Sequence, residues 1–213
     1  MKKKTSTSIN AILIFILFVT FFYGCNDNNN DITDDIIDDT TTQSITEADK
    51  AALLFMLEEE KLARDTYSYL NNLWSINQFA NIKNSEQTHM NAIENLLIQY
   101  NIEYTILNDG EFVNQDLQNF YDQFVIEGAL SQAKAQQIGA TIEDLDIVDL
   151  ETNINNTTNT EIQFVFESLQ CGSRNHLRSF VKGIENGGNT YTPQFLTQIE
   201  YNIIISSSNE KCN

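Results

Sequence analysis

A single proline, Pro193, stands in 213 residues, beside eight glycines. Proline and glycine are the residues that break or weaken a helix, so little in this chain forces one to end. Beyond residue 45, apolar side chains recur at three- and four-residue spacing over most of the length, the mark of amphipathic helices. The expectation is an all-α protein, and roughly 165 residues suffice for one bundle core.

Stripes and caps place the helices. Thr46 reads as the N-cap of a first helix over 47–71, with Leu53, Met56 or Leu57, Glu60, Ala63, Tyr67 and Leu70 inward and Glu58 and Glu59 solvated. A second, over 76–100, turns Phe79, Ile82, Glu86, His89, Ile93, Leu96 and Tyr100 inward. Residues 101–114 form a loop, and a short helix at 116–128 precedes a longer one at 131–154. That longer helix buries either Glu143, Ile147, Leu150 and Ile154, bordered by Asp146, or Ile138, Ile142 and Leu145, which leaves Glu143 at the edge. After a turn at 155–158, a helix over 160–185 aligns Phe166, Leu169, Ser173, His176 and Phe180. Thr192 is expected to cap a last helix with Pro193 in its first turn, a place proline favours.

The N-terminus reads differently. Lys2, Lys3 and Lys4 precede an almost wholly apolar run from Ile9 to Tyr23, then Gly24-Cys25. The run is short for a membrane span and fits a secretory signal over 1–24. Phe22-Tyr23-Gly24-Cys25 resembles a bacterial lipobox, with Phe22 where Leu is usual. Cys25 then becomes a lipidated N-terminus that anchors the protein to the membrane of a bacterial cell envelope. Residues 25–45, rich in Asn, Asp and Thr, read as a flexible acidic tether. The folded domain spans 46–207, and 208–213 form a tail. The formal charge of −18 argues against nucleic acid as a partner. With Cys25 lipidated, Cys171 and Cys212 remain as a pair in an oxidising compartment, and a disulfide is expected.

The chain has only two histidines. His89 follows Glu86 by three positions, so both share one helix face. A lone buried Glu is costly unless paired, protonated or bound to a metal, and Glu60 and Glu86 both lie on apolar stripes. Two inward acids and an imidazole call for a cation, and carboxylate-bridged metal sites in helical bundles are built this way. Arg64, Arg174 and Arg178 are the alternative neutralisers, in which case the acids form a structural polar core without metal.

These residues together resemble the ferritin-like superfamily, in which two helices each give a Glu and two give Glu-x-x-His. The first helix is similar to the rubrerythrin type through Glu60-x-x-Ala63-Arg64 and the later Tyr67. More narrowly, residues 46–207 resemble an uncharacterised prokaryotic family, domain of unknown function 2202. The runs that carry this are Glu58 to Tyr67, Ser85 to Met90, Ile142-Glu143-Asp144 and Gly172 to Arg178. The resemblance implies a ferritin-like four-helix bundle with additional short helices and a metal site of Glu60, Glu86, His89, Glu143 and His176. The second Glu-x-x-His has become Ser173-x-x-His176, so the site is one carboxylate short. It would hold two ions, with water or Asp146 filling the gap, or only one. Carboxylate and imidazole suit Fe, Mn or Zn. The expected function is a metal-dependent oxidoreductase acting on oxygen or peroxide, with Tyr67 as a candidate redox group. The alternatives are a lipoprotein that binds or senses metal without turnover, and a helical scaffold with an Arg-neutralised polar core.

Overall fold

The computed structural model describes residues 45–212. The signal segment, Cys25 and most of the tether fall outside the described residues. Six helices run in order: α1 (Glu47–Trp74), α2 (Asn77–Gln99), α3 (Gln115–Gly128), α4 (Gln132–Asn156), α5 (Thr160–Asn186) and α6 (Gln198–Ser206). Among the described residues there is no strand, and no helix is long and apolar enough to cross a membrane.

The helix ends follow from local chemistry. Thr46 caps α1 in a capping box: its hydroxyl accepts from the Asp49 N–H, and the Asp49 carboxylate accepts from the Thr46 N–H, both at 3.0 Å. This supplies acceptors for amides that a helix start leaves free. Ser75, at a left-handed φ of 53°, ends α1 and turns the chain directly into α2. Asn114, Ser131 and Asn159 cap α3, α4 and α5 with their side chains.

Helices α1 and α2 pack closely as one pair and α4 and α5 as another, while α1 abuts α4 and α2 abuts α5. The four long helices thus close an all-α bundle. Helix α2 is joined to α4, its diagonal neighbour, through the long segment that carries α3, and α3 lies against α1 and α4. One long crossover of this kind is a feature of ferritin-like bundles.

The core has three layers along the bundle axis. One apolar layer gathers Tyr67, Phe79 and Phe180, with ring centroids 5.2–5.6 Å apart, and their aliphatic neighbours. The other gathers Leu53, Met56, Ile93, Leu150 and Phe166. Each long helix passes through both. Between them, each helix turns one or two polar side chains inward, so the polar residues form a middle layer sealed above and below.

Three sequence expectations need correction. Thr192 does not cap the last helix; Thr197 does, in a capping box with Glu200. The cause is Asp144, whose buried carboxylate accepts from the backbone N–H groups of Gln194, Phe195 and Leu196 and from the Tyr191 hydroxyl, at 2.5, 3.2, 2.7 and 2.7 Å. Those amides cannot serve a helix while they serve Asp144, and Pro193 has no N–H to contribute. Glu59 is 1% exposed rather than solvated, because α1 is covered by α4 as well as by α2. Glu58 is half-buried and accepts from the N–H groups of Val113 and Asn114. The two candidate stripes of α4 are both buried, Glu143 included, since α1, α3 and α5 all pack on this helix.

Candidate metal centre

Glu60 comes from α1, Glu86 and His89 from α2, Glu143 from α4 and His176 from α5, all in the middle layer. The three carboxylates are 1–2% exposed. Glu86 sits at the centre. Its Oε2 lies 2.9 Å from His89 Nδ1, and its Oε1 lies 2.9 Å from His176 Nδ1. Glu60 Oε2 is 3.1 Å from His89 Nδ1, and Glu143 Oε2 is 3.4 Å from His176 Nδ1. Two sets of donors result, Glu60–Glu86–His89 and Glu86–Glu143–His176, each with its ligand atoms within 4.8 Å of one another. They share Glu86. The imidazole rings stack at 5.6 Å between centroids.

The contacts fall short of a satisfied polar core. His176 Nδ1 and Glu86 Oε1 approach to 2.9 Å as an ion pair without the alignment of a hydrogen bond, and Glu60 Oε1 has no hydrogen-bond partner. Buried polar atoms are otherwise paired in native proteins. Donor atoms that crowd together without aligning fit a common central ion, and this oxygen and nitrogen set suits iron, manganese or zinc.

Without an ion, protons balance the charge. Burial opposes a charged His176, but Glu86 and then Glu143 raise its pKa to about 10. His89 is likewise held well above its usual value against burial, by Glu60 and Glu86. Burial would raise Glu86, yet His176 and His89 together hold it far below the carboxylate range. Burial lifts Glu60 to about 7, with His89 pulling down and Glu86 pushing up. Burial and the Glu86 charge raise Glu143.

Neighbouring residues fix the ligands. The Tyr67 hydroxyl donates to Glu143 Oε1 at 2.5 Å, which orients that carboxylate. Gly172 leaves room for the His89 ring: a Cβ there would stand 2.7 Å from Nε2 and 2.8 Å from Cε1. Ser173 hydrogen-bonds Asp146 Oδ2 and is 3.0 Å from the Leu169 carbonyl. Just before it, Cys171 is bonded to Cys212, so the C-terminal tail is tied to the helix that carries His176.

The arginines do not neutralise these acids. Arg64 pairs with Asp65 and Asp109 and donates to Gln87. Arg174 and Arg178 both grip Glu210 in the tail. The alternative of an Arg-neutralised core is therefore not what these pairings give. Sequence reasoning missed Glu59, whose carboxylate lies beside Asp146 and Asp149, and burial followed by the Asp146 charge raises its pKa strongly. The signal was present, since Glu59 stands three residues from Met56 and four from Ala63, on a second inward stripe.

The uncharacterized protein domain DUF2202 matches residues 49–208. The uncharacterized protein MJ0754 of Methanocaldococcus jannaschii is 50% identical over 171 residues, which cover 79% of this chain and 92% of that protein. The crystal structure of hypothetical protein MJ0754 from Methanococcus jannaschii matches with a TM-score of 0.77 at 50% identity, over 79% of this chain and 97% of the solved one.

Proposed function

This chain belongs to the family of that uncharacterized domain, and from that premise we propose that it is a lipid-anchored protein whose core holds two iron or manganese ions and acts as an oxidoreductase on oxygen or peroxide. Zinc also suits the donors. The observation that carries the proposal is the meeting of five donors from four helices in two sets that share Glu86. Glu60 and His89 would hold one ion, Glu143 and His176 the other, and Glu86 belongs to both donor sets. Bound iron or manganese would supply the electron transfer. The chain's own work is to hold five donors in register, to fix Glu143 through Tyr67, and to keep bulk water out with an apolar layer on either side. Tyr67 is a candidate redox group. The lipid anchor on Cys25 and a place in the bacterial cell envelope rest on the sequence signal alone.

One observation favours a second reading. The 710 Å³ cavity is lined by Leu54, Glu58, Ile102, Tyr104 and Val113 among others, and by none of the five candidate ligands. Among the described residues, this cavity does not reach the candidate ligands. A protein that captures or senses metal without turnover fits a centre that lies away from this cavity.

Elemental analysis of protein purified without chelator, beside a Glu86→Ala control, tests the site. The expected result is two ions per chain in the parent and none in the control. Oxygen uptake by the iron-loaded protein then separates the readings: uptake coupled to iron oxidation supports the oxidoreductase, and none leaves a binding protein. No metal in the parent, with its helices intact, sinks both.

A further inference from the structure

Ser173 stands one turn before His176, as Glu86 stands one turn before His89, so a second carboxylate would be expected there. An acid from another helix reaches Ser173 instead, although it is not itself among the donors that lie within 4.8 Å of one another. Asp146 lies on α4, one turn after Glu143 and on the same face. It is 5% exposed. One of its oxygens, Oδ2, is hydrogen-bonded by Ser173, and the other, Oδ1, is buried with no partner. We infer that Asp146 is the fourth carboxylate of the metal centre, supplied by α4 in place of a Glu on α5 and positioned by Ser173.

Charge gives the reason. Two divalent ions bring four positive charges, while Glu60, Glu86 and Glu143 bring three negative ones and the ligating imidazoles are neutral. A surplus charge in a buried layer is strongly unfavourable, and Asp146 removes it, while burial and then the Asp146 charge raise the pKa of Glu59 beside it strongly, which favours its neutral form. Its surroundings agree with this placement. Burial weakens its acidity most, followed by the Glu60 charge, with Glu143 and Glu86 acting in the same sense and the Ser173 hydrogen bond opposing them. It therefore feels the acids of both donor sets. The hydroxyl at 173 also explains why the departure from Glu-x-x-His is a serine: a short donor leaves room for the aspartate and holds one of its oxygens.

The inference rests on the two-ion reading, and equilibrium dialysis of the purified protein against Mn(II) under argon separates the two. The parent is expected to hold two ions. Asp146→Asn, which keeps the shape and a hydrogen bond to Ser173, should bind the second ion at least about tenfold more weakly. Asp146→Ala/Ser173→Glu moves the acid back to α5 and should restore two. Ser173→Ala keeps the acid but frees it, and should weaken the second ion; it carries the test if Asp146→Asn does not fold. Parental affinity in Asp146→Asn, or in Ser173→Ala where that variant stands in for it, overturns the inference while the two-ion site stands, provided Glu86→Ala has lost both ions. A parent that binds one ion or none overturns the two-ion reading and this inference with it.

Discussion

Gly172 is the residue where packing and chemistry meet most tightly. It sits on α5 against the edge of the His89 ring, and even a methyl group would press within 2.8 Å of two ring atoms. The ring cannot simply retreat, because its Nδ1 faces Glu60 and Glu86. Overpacking of this kind costs about 1–3 kcal/mol. Gly172→Ala is expected to lower the melting temperature of the metal-free protein and to weaken Mn(II) binding on the His89 side, both readable in one thermal titration. Unchanged binding would mean that the His89 ring is free to move and is not held as a ligand. At this scale the sequence was mostly legible. Helical spacing turned Glu60, Glu86, His89 and His176 inward, but it left Glu143 between two stripes, and only the resemblance to a known family brought the five together as ligands. The buried state of Glu59 was not found, because one inward stripe was assigned to a helix that is covered on two sides.

Among the elements, the segment between α5 and α6 shows what hydropathy patterns do not encode. Helical spacing and caps located α1 to α5 to within a few residues, since each helix buries one or two repeating faces. The segment 191–196 has no such repeat. Its path is set by one distant carboxylate, Asp144, to which three consecutive amides and a tyrosine hydroxyl donate. A pairing of that separation leaves no local trace, so Thr192 with Pro193 looked like a helix start. Asp144→Ala strands the buried donors of Tyr191 and Leu196 and is expected to cost more than about 2 kcal/mol. Hydrogen exchange should quicken at residues 194–196 and in α6, while the metal content per chain stays at the parental value. Loss of metal together with the segment would show that Asp144 supports the centre directly, against this account.

For the whole molecule, the three-layer core makes stability depend on pH in an unusual sense. In the metal-free protein Glu59, Glu60, Glu143 and Asp146 all have raised pKa values, as do His89 and His176. A raised group binds more protons folded than unfolded, so stability falls as pH climbs between its unfolded and folded values. For Glu60 that window runs from about 4.5 to about 7, and for His176 from 6.5 to about 10. Groups with lowered values, such as Glu210 at about 2, lose their contribution only as pH falls below the usual carboxylate range. The chelator-treated protein should therefore melt higher at pH 5.5 than at pH 8.5. Glu59→Gln should narrow that difference by removing one of the raised acids. Bound ions displace the same protons, so the stabilisation that Mn(II) gives should grow from pH 5.5 to pH 8.5. A metal-free protein that melts higher at pH 8.5 would show that the layer does not hold its protons.

The metal-binding expectations rest on Glu86 being shared by two ions. Anomalous diffraction from crystals soaked in Mn(II) tests that most directly. The account predicts two peaks about 3.5–4 Å apart, one between Glu60 and His89, the other between Glu143 and His176, with Glu86 reaching both. Density without a peak there, the imidazoles still resting against the carboxylates, would contradict it.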